Sequence, residues 1–176
     1  MKKKTILAVL MLILLGINAV FGQQGNDELL DSGVDALFNG DYDRAIAIFT
    51  QVIRLEPNNE VAYYWRAYAY DDLGDNNRAI ADLNQAIRID PDFDSAYNSR
   101  GYAYNNLSDY NRAIADFNQA IRLNPNFANA YRHRAFSYMQ LKNYTQARAD
   151  VNRALQIDPN YQSAQTLSEE LRRLGY

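Results

Sequence analysis

The segment RAIADLNQAIR at residues 78–88 recurs as RAIADFNQAIR at residues 112–122, and only Leu83 and Phe117 differ between the two. The copies start 34 residues apart, and the units that contain them agree at 21 of 34 positions. A period of this length is typical of a repeat made of two helices. The same frame divides most of the chain into four units, at residues 26–59, 60–93, 94–127 and 128–161.

Each unit carries the signals of two helices. A polar break lies in the middle, where an acidic or amide residue can cap the N-terminus of the second helix. The four residues at this place are Asp41, Asp75, Asp109 and Asn143. A proline then ends the second helix, because the residue before a proline avoids the α conformation. All four prolines of the chain stand at this place, at Pro57, Pro91, Pro125 and Pro159.

Small and large residues recur at fixed places in the unit and predict how the helices stack. Small residues permit close approach of two helices, and large ones fill the space that remains. The small set is Gly33, Ala67, Gly101 and Ala135, and the large set is Phe49, Leu83, Phe117 and Val151. Residues 162–176 carry Leu167, Leu171 and Leu174 among charged residues, which predicts a capping helix. The expected fold class is therefore all-α.

These units resemble the tetratricopeptide repeat (TPR) family, whose signature places aromatic, small and proline residues at fixed offsets. The third unit shows the signature as Tyr97, Gly101, Tyr104, Ala113, Phe117, Ala120 and Pro125. The resemblance covers residues 26–161. It implies a right-handed α-solenoid of four helix pairs, in which the first helix of each pair lines a concave groove. It also implies a role as a protein-interaction scaffold.

The resemblance further implies which residues face the groove. The candidate ligand-binding residues are Tyr64, Trp65, Tyr68, Asn98, Tyr102, Asn105, Arg132 and His133. Aromatic rings beside amides suit an extended peptide, because rings supply contact area and amides pair with a peptide backbone. The alternative for Tyr64, Trp65 and Tyr68 is that they seal the junction with the first unit.

Some members of the family hold a C-terminal carboxylate in a clamp of lysine, asparagine and arginine side chains. The corresponding positions of this chain hold Tyr64, Tyr68, Ser99, Asn129 and His133, or Leu30 and Val34 where the frame starts one unit earlier. The clamp is therefore absent, and the sequence argues against an adaptor for chaperone tails.

Arginine also recurs with the period of the repeat. We interpret such arginines as framework residues that pair with recurring acids, so they say little about binding specificity. Three of them, with the acids expected to pair with them, are Arg66, Arg100 and Arg134 with Asp82, Asp116 and Asp150.

Residues suited to catalysis or metal binding are scarce. His133 is the only histidine and lies between Arg132 and Arg134. Neighbouring cations make an imidazole less basic without orienting it, so we expect a surface or groove residue. Asp71 and Asp72 are adjacent and diverge by about 100° on a helix, which favours a solvated groove edge over an acid/base pair. No phosphate-binding loop or nucleophile motif is present, so we expect no enzyme, no metal and no cofactor.

The first 22 residues differ from the repeats. Three lysines follow Met1, and an apolar run from Ile6 to Ile17 comes next, which is the order of a secretory signal peptide. The stretch from Ile6 to Phe21 has 16 residues, whereas a membrane-spanning helix needs about 20. We therefore expect residues 1–22 to be a cleaved signal and the protein to be exported, either periplasmic or secreted. The alternative is an uncleaved segment that anchors the chain.

The net charge limits the classes of binding partner, and the cysteine content limits the chemistry. Without residues 1–22 the chain has one lysine and 14 arginines against 21 acidic residues, a net charge of −6. Nucleic acids and anionic membranes usually bind a basic excess, so we expect neither as a partner of the mature chain. The chain has no cysteine, which excludes disulfides and thiol chemistry.

The sequence thus predicts an exported scaffold or adaptor that binds a protein or peptide segment in its concave groove, within a bacterial envelope assembly. Two alternatives stay open. The chain could be a self-associating structural module that forms a homo-oligomer, or a glycan-binding module, because tyrosine, tryptophan and asparagine also suit sugars.

Overall fold

A computed structural model describes residues 25–176, and the expected signal peptide at residues 1–22 lies outside the described part. Within that part the chain is helical without strands. Helix α1 is described over residues 25–38. The helices that follow are α2 (Tyr42–Leu55), α3 (Glu60–Asp72), α4 (Asn76–Ile89), α5 (Asp94–Asn106), α6 (Tyr110–Leu123), α7 (Ala128–Gln140), α8 (Tyr144–Ile157) and α9 (Gln162–Arg173). None of these described helices combines the length and apolar character that crossing a bilayer requires.

The helices form two layers. Each odd-numbered helix packs against the even-numbered helix that follows it, and α3 contacts α5, α5 contacts α7, and α7 contacts α9. The odd-numbered helices therefore make a continuous inner layer. The chain is a right-handed α-solenoid of four helix pairs that α9 closes at the C-terminal end.

Small and large residues in the core compensate each other from repeat to repeat. Where the second helix of a pair carries phenylalanine, the first helix carries glycine: Gly33 lies against Phe49, and Gly101 lies against Phe117. A Cβ atom on Gly101 would be 2.6 Å from a ring carbon of Phe117, so alanine does not fit there. The other two repeats combine alanine with a smaller partner, in the pairs Ala67 with Leu83 and Ala135 with Val151.

Three of the four expected helix caps are present. A carboxylate oxygen accepts a hydrogen bond from the backbone N–H three residues later at Asp41, Asp75 and Asp109. Such bonds satisfy donors that the first turn of a helix leaves free. Asn143 stands at the expected N-cap position of α8 but makes no side-chain bond of this kind.

A ladder of ion pairs ties neighbouring helices together. In the last repeat the Nε and Nη2 atoms of Arg134 donate to the two carboxylate oxygens of Asp150 at 2.7 and 2.6 Å. The Nη1 atom of Arg134 donates to Asn118 on the preceding repeat at 2.5 Å. One guanidinium thus joins three helices. We call the three equivalent pairs the arginine–aspartate ladder; they are Arg66–Asp82, Arg100–Asp116 and Arg134–Asp150.

The ladder confirms that these arginines belong to the framework. Its three aspartates are each 6% exposed, and each aspartate is paired. Bidentate pairing fits the planar guanidinium and offsets the desolvation of both charges. Tyrosine rings of the same repeats lie under the guanidinium groups, at 5.7, 5.5 and 5.5 Å for Tyr63, Tyr97 and Tyr131.

Helix α9 covers the last repeat. Leu167 and Leu171 are buried in a cluster with Ala135 and Val151, so they close the core that α7 and α8 leave open. Leu174 is 49% exposed and stays outside this cluster, which corrects the expectation that it packs with the other two leucines.

Candidate functional site

Helices α3, α5 and α7 of the inner layer line a cavity of about 500 Å³, which we call the groove. This volume is within the range of ligand-binding clefts. The groove is polar and aromatic, and its lining residues on the three helices and the adjoining segments are Tyr64, Ala67, Tyr68, Asp71, Asp72, Leu83, Ser95, Asn98, Ser99, Tyr102, Phe127, Asn129, Arg132 and His133.

The groove brings together six of the eight candidate residues. Tyr64 and Tyr68 come from α3, Asn98 and Tyr102 come from α5, and α7 supplies the other two. The α7 residues are Arg132 and His133. Trp65 and Asn105 do not line the groove, and each belongs to a packing contact instead.

Trp65 packs toward the first repeat. It joins the buried cluster of Ala36, Phe49 and Ala69, and its ring packs against that of Phe38 with the ring centroids 6.2 Å apart. For Trp65 the structure therefore favours the alternative, a seal between the first two repeats. Its ring also lies 5.9 Å from that of Tyr68, so it is in contact with a lining residue of the groove.

Tyr64 and Tyr68 differ from Trp65 in position and from each other in exposure. Tyr64 packs against Phe93 with ring centroids 5.0 Å apart, and burial raises the pKa of its phenol. Tyr68 is 42% exposed. Tyr102 on the next repeat is 38% exposed, so the groove presents two accessible aromatic rings on adjacent helices.

Asn105 is a structural residue. It is 7% exposed, and its Oδ1 atom accepts a hydrogen bond from the Ser137 hydroxyl at 2.7 Å. Ser137 is fully buried on α7, so this bond joins the third and fourth repeats inside the core. The expectation that Asn105 faces a ligand is therefore wrong in position.

His133 lines the groove, which is one of the two places expected for it, but it is buried and does not lie on the exposed surface. It is 7% exposed, its Nδ1 atom lies 3.2 Å from Oδ1 of Asn98, and its ring packs between Tyr102 and Phe117 at 5.1 and 5.6 Å. Burial, together with the charge of Arg132, lowers the pKa of His133 to about 3. The imidazole is therefore neutral at physiological pH and donates its Nδ1 proton to Asn98.

Arg132 is the lining residue with unused donor capacity. Its Nε atom is buried and has no hydrogen-bond partner. Within the described part of the chain no carboxylate lies at ion-pair distance from Arg132. A buried N–H donor without an acceptor is rare in folded proteins, because it has lost its water without replacement.

Asp71 and Asp72 lie at the opposite end of the groove, near the C-terminus of α3. Burial and the negative charge of Asp72 raise the pKa of Asp71 to about 6. The side-chain amide of Asn106 donates to Asp71 at 3.2 Å. Asp71 is half-buried, so the expectation of a fully solvated edge holds only for Asp72.

The sequence pattern did not single out Phe38, an exposed aromatic residue of the first repeat. Phe38 at the end of α1 is 73% exposed, the largest value among the exposed large hydrophobic residues of the described chain. It lies 34 residues before Asp72 and so occupies the same place in the repeat. The 34-residue offset from Asp72 could therefore have predicted that the groove surface continues onto the first repeat.

The lining residues vary between repeats, whereas the ladder does not. The same place in the unit holds Tyr64, Asn98 and Arg132, and all three line the groove. Two residues further along, the second, third and fourth repeats have the same ladder arginine, whereas the first has Ser32. At the varying position the groove is thus aromatic on α3, polar on α5 and cationic on α7.

This arrangement is suited to binding. Within residues 25–176 no group of three or more histidine, aspartate or glutamate side chains could hold a metal ion. The imidazole of His133 is hydrogen-bonded through Nδ1 to the side-chain amide of Asn98.

Comparison with known proteins agrees with the geometry. Sequence models of the tetratricopeptide repeat match residues 36–99, 95–127 and 128–161, which together span most of the chain. The chain belongs to the tetratricopeptide repeat family. No curated protein sequence matches this TPR protein. A TPR solenoid is a protein-interaction module and typically a non-catalytic scaffold.

Several solved TPR structures share the fold. A thermophilic TPR protein from Thermus thermophilus is similar at TM-score 0.73 and 24% identity, over 83% of this chain and 80% of that one. MamA is similar at TM-score 0.70 and 25% identity, over 80% of this chain and 88% of that one. The first TPR domain of Spaghetti, solved with the HSP90 peptide SRMEEVD, is similar at TM-score 0.66 and 28% identity, over 68% of this chain and 94% of that one.

Proposed function

We propose that the protein is an exported TPR adaptor that binds an extended segment of another protein in the groove of α3, α5 and α7. The observation that carries the proposal is the exposure of Tyr68 and Tyr102 beside amide and hydroxyl side chains. Rigid aromatic rings supply contact area at low entropic cost, and amides pair with a peptide backbone. The peptide-bound Spaghetti domain supports a peptide as the class of ligand for a similar fold.

The export half of the proposal rests on residues 1–22, with their basic start and short apolar run. Mass spectrometry of the protein recovered from the bacterial envelope tests it. We expect a chain that begins at Gln23. A chain that keeps its apolar run and stays in the membrane fraction would support the uncleaved anchor instead.

Photocrosslinking tests the binding half. A photoreactive phenylalanine analogue replaces Tyr102 in the groove or, as a matched control, Tyr110 at the start of the outer helix α6. We expect an adduct with another protein only from position 102, and we expect Tyr68→Ala to weaken it. Equal adducts from both positions would contradict binding in the groove.

The same experiment separates the alternatives. An adduct that contains only two copies of this chain would replace the adaptor with a self-associating module. Light scattering of the purified protein would then show a stable dimer. An adduct of glycan without protein would favour the sugar-binding alternative.

A further inference from the structure

Arg132 differs from the other arginines of α3, α5 and α7 in having no acid within ion-pair distance. Arg66, Arg100 and Arg134 each bind both oxygens of a buried aspartate. Arg132 stands two residues before Arg134 on the same helix, lines the groove, and leaves its buried Nε without an acceptor. The fold therefore holds a guanidinium in the groove without supplying its partner.

The charge around Arg132 indicates the sign of the missing partner. Among the described residues that line the groove, Arg132 is the one cation, because His133 is neutral. Asp71 and Asp72 lie on α3 and are not within ion-pair distance of Arg132. An anion placed at α7 gains attraction, whereas an anion placed at the α3 end meets two carboxylates.

We propose that the bound segment carries an aspartate or glutamate whose side-chain carboxylate pairs with Arg132. This inference rests on the proposed function and adds the chemistry of the partner. A guanidinium binds a carboxylate through two parallel N–H···O bonds, a geometry that an ammonium group cannot give. Asn129 and Ser95 also line the groove. The Asn129 oxygen accepts from Tyr161 and the Ser95 hydroxyl donates to Asp94, so the Asn129 amide N–H groups are what this pair offers to a peptide backbone.

A side-chain carboxylate suits this site better than a chain terminus. The TPR clamp for a C-terminal carboxylate uses positions that are Tyr64, Tyr68, Ser99, Asn129 and His133 in this chain, and none of them is a cation. Arg132 lies outside that set. The one guanidinium at this site can pair with one side-chain carboxylate of a peptide segment that continues in both directions.

The layer geometry sets the spacing of the ligand. Tyr68 on α3 and Arg132 on α7 are two helix spacings apart, which is roughly 16–20 Å at ordinary interaxial distances. An extended chain covers about 3.3 Å per residue. The acidic residue should therefore stand about five to six residues from the aromatic or aliphatic residue that contacts Tyr68.

Peptide display on the purified protein tests the inference. One library presents random segments flanked by fixed sequence on both sides, and a second presents the same segments with a free C-terminus. Affinities of the selected peptides are measured through the fluorescence of Trp65, the single tryptophan, whose ring contacts Tyr68. The variants are Arg132→Gln and, as a matched charge control on the exposed face of α8, Arg148→Gln.

We expect the flanked library to yield segments with one acidic residue at the stated spacing from an aromatic one. Arg132→Gln should weaken their binding about tenfold to a hundredfold, and Arg148→Gln should leave it unchanged. Replacing the acidic residue by its amide in the peptide should cost the same on the wild-type protein and nothing more on Arg132→Gln. The wild-type half of that comparison involves no protein variant, so it does not depend on how Arg132→Gln folds.

Other outcomes are also decisive. Selected peptides that bind wild type and Arg132→Gln equally would overturn the acidic partner and leave the proposed function standing. Selection only from the library with a free C-terminus, without acidic side chains, would overturn the side-chain carboxylate. Failure to select any peptide from either library would overturn the proposed function together with this inference.

Discussion

Arg132 and Arg134 lie two residues apart on α7 and have opposite roles. Arg134 is held by Asp150 and Asn118 and has counterparts in two other repeats. Arg132 has no acceptor for its Nε and is replaced by Tyr64 and Asn98 at the same place in the other repeats. Arg134 therefore belongs to the scaffold, whereas the Nε donor of Arg132 has no acceptor in the described part of the chain.

The contrast extends over the inner layer. A position that ties neighbouring helices together holds the same residue type from the second repeat to the fourth, as the ladder does. A position that faces the groove is released from that constraint, so it can differ between repeats. Comparing the repeats within one chain therefore separates the scaffold from the recognition surface, and the following experiments test that separation.

The largest loss of stability should follow removal of a ladder aspartate. Asp116→Ala leaves the half-buried Arg100 without its bidentate partner and should lower the free energy of unfolding by about 3 kcal/mol. Asp109→Ala is the control, because it removes an exposed pair and the cap of α6 and should therefore cost much less. Urea unfolding followed by circular dichroism measures both free energies of unfolding. Equal losses in the two variants would contradict a larger contribution of the ladder to stability.

A second test concerns the compensation of small and large residues. Gly101→Ala places a Cβ atom 2.6 Å from Phe117 and should cost about 1–2 kcal/mol, since overpacking outweighs the gain in helix propensity. Adding Phe117→Leu recreates the pairing of Ala67 with Leu83 and should recover most of the loss. If the double variant loses the sum of the two single losses, the two positions do not compensate.

Substitutions in the groove should change the free energy of unfolding less than substitutions in the ladder. For Asp71 the change should depend on pH. The pKa of Asp71 is raised from 3.8 to about 6, so the folded chain holds this proton more tightly than the unfolded chain. Its contribution to stability therefore falls as pH rises from about 4 to about 6. Asp71→Asn, which keeps an acceptor for Asn106, should stabilise the chain by about 1 kcal/mol at neutral pH, allowing for solvent screening of a half-exposed group.

Below the ordinary pKa of an aspartate, Asp71→Asn and wild type should unfold with the same free energy, because both side chains are then neutral. Thermal or urea unfolding at acidic and neutral pH gives the comparison. A stability difference that is independent of pH would mean that Asp71 acts through its shape and not through its charge.

The smallest expected effect concerns His133, whose imidazole should not titrate near neutral pH. His133 has its pKa lowered to about 3 by burial and by Arg132, so its stabilising contribution is present at neutral pH and declines as pH falls below about 6.5. NMR of the single imidazole should show no protonation between about pH 8 and pH 5. An inflection near pH 6.5 would place the ring in solvent and contradict the buried contact with Asn98.

The period of the sequence predicted the fold because stacking repeats the same packing problem in every unit. The break residues, the prolines and the small positions all followed from it, and so did the ladder. Asn143 and Leu174 are the exceptions: Asn143 stands at the N-cap of α8 without a side-chain hydrogen bond, and Leu174 is exposed at the end of α9.

The site was harder to predict than the fold. Helical spacing places a residue on a face, but it does not show which side chain of the next repeat meets it. His133 reaches Asn98, and Ser137 reaches Asn105, across separations of 35 and 32 residues that no short pattern contains. The pKa shift of Asp71 likewise depends on burial that exists only in the assembled groove.

The central claim is that α7 carries one arginine for folding and one for recognition. Urea unfolding of Arg132→Gln and Arg134→Gln under identical conditions tests it without any knowledge of the partner. We predict that Arg132→Gln stays within about 0.5 kcal/mol of the wild-type free energy of unfolding, whereas Arg134→Gln loses about 3 kcal/mol. Equal losses in the two variants would make Arg132 a framework residue and contradict the account.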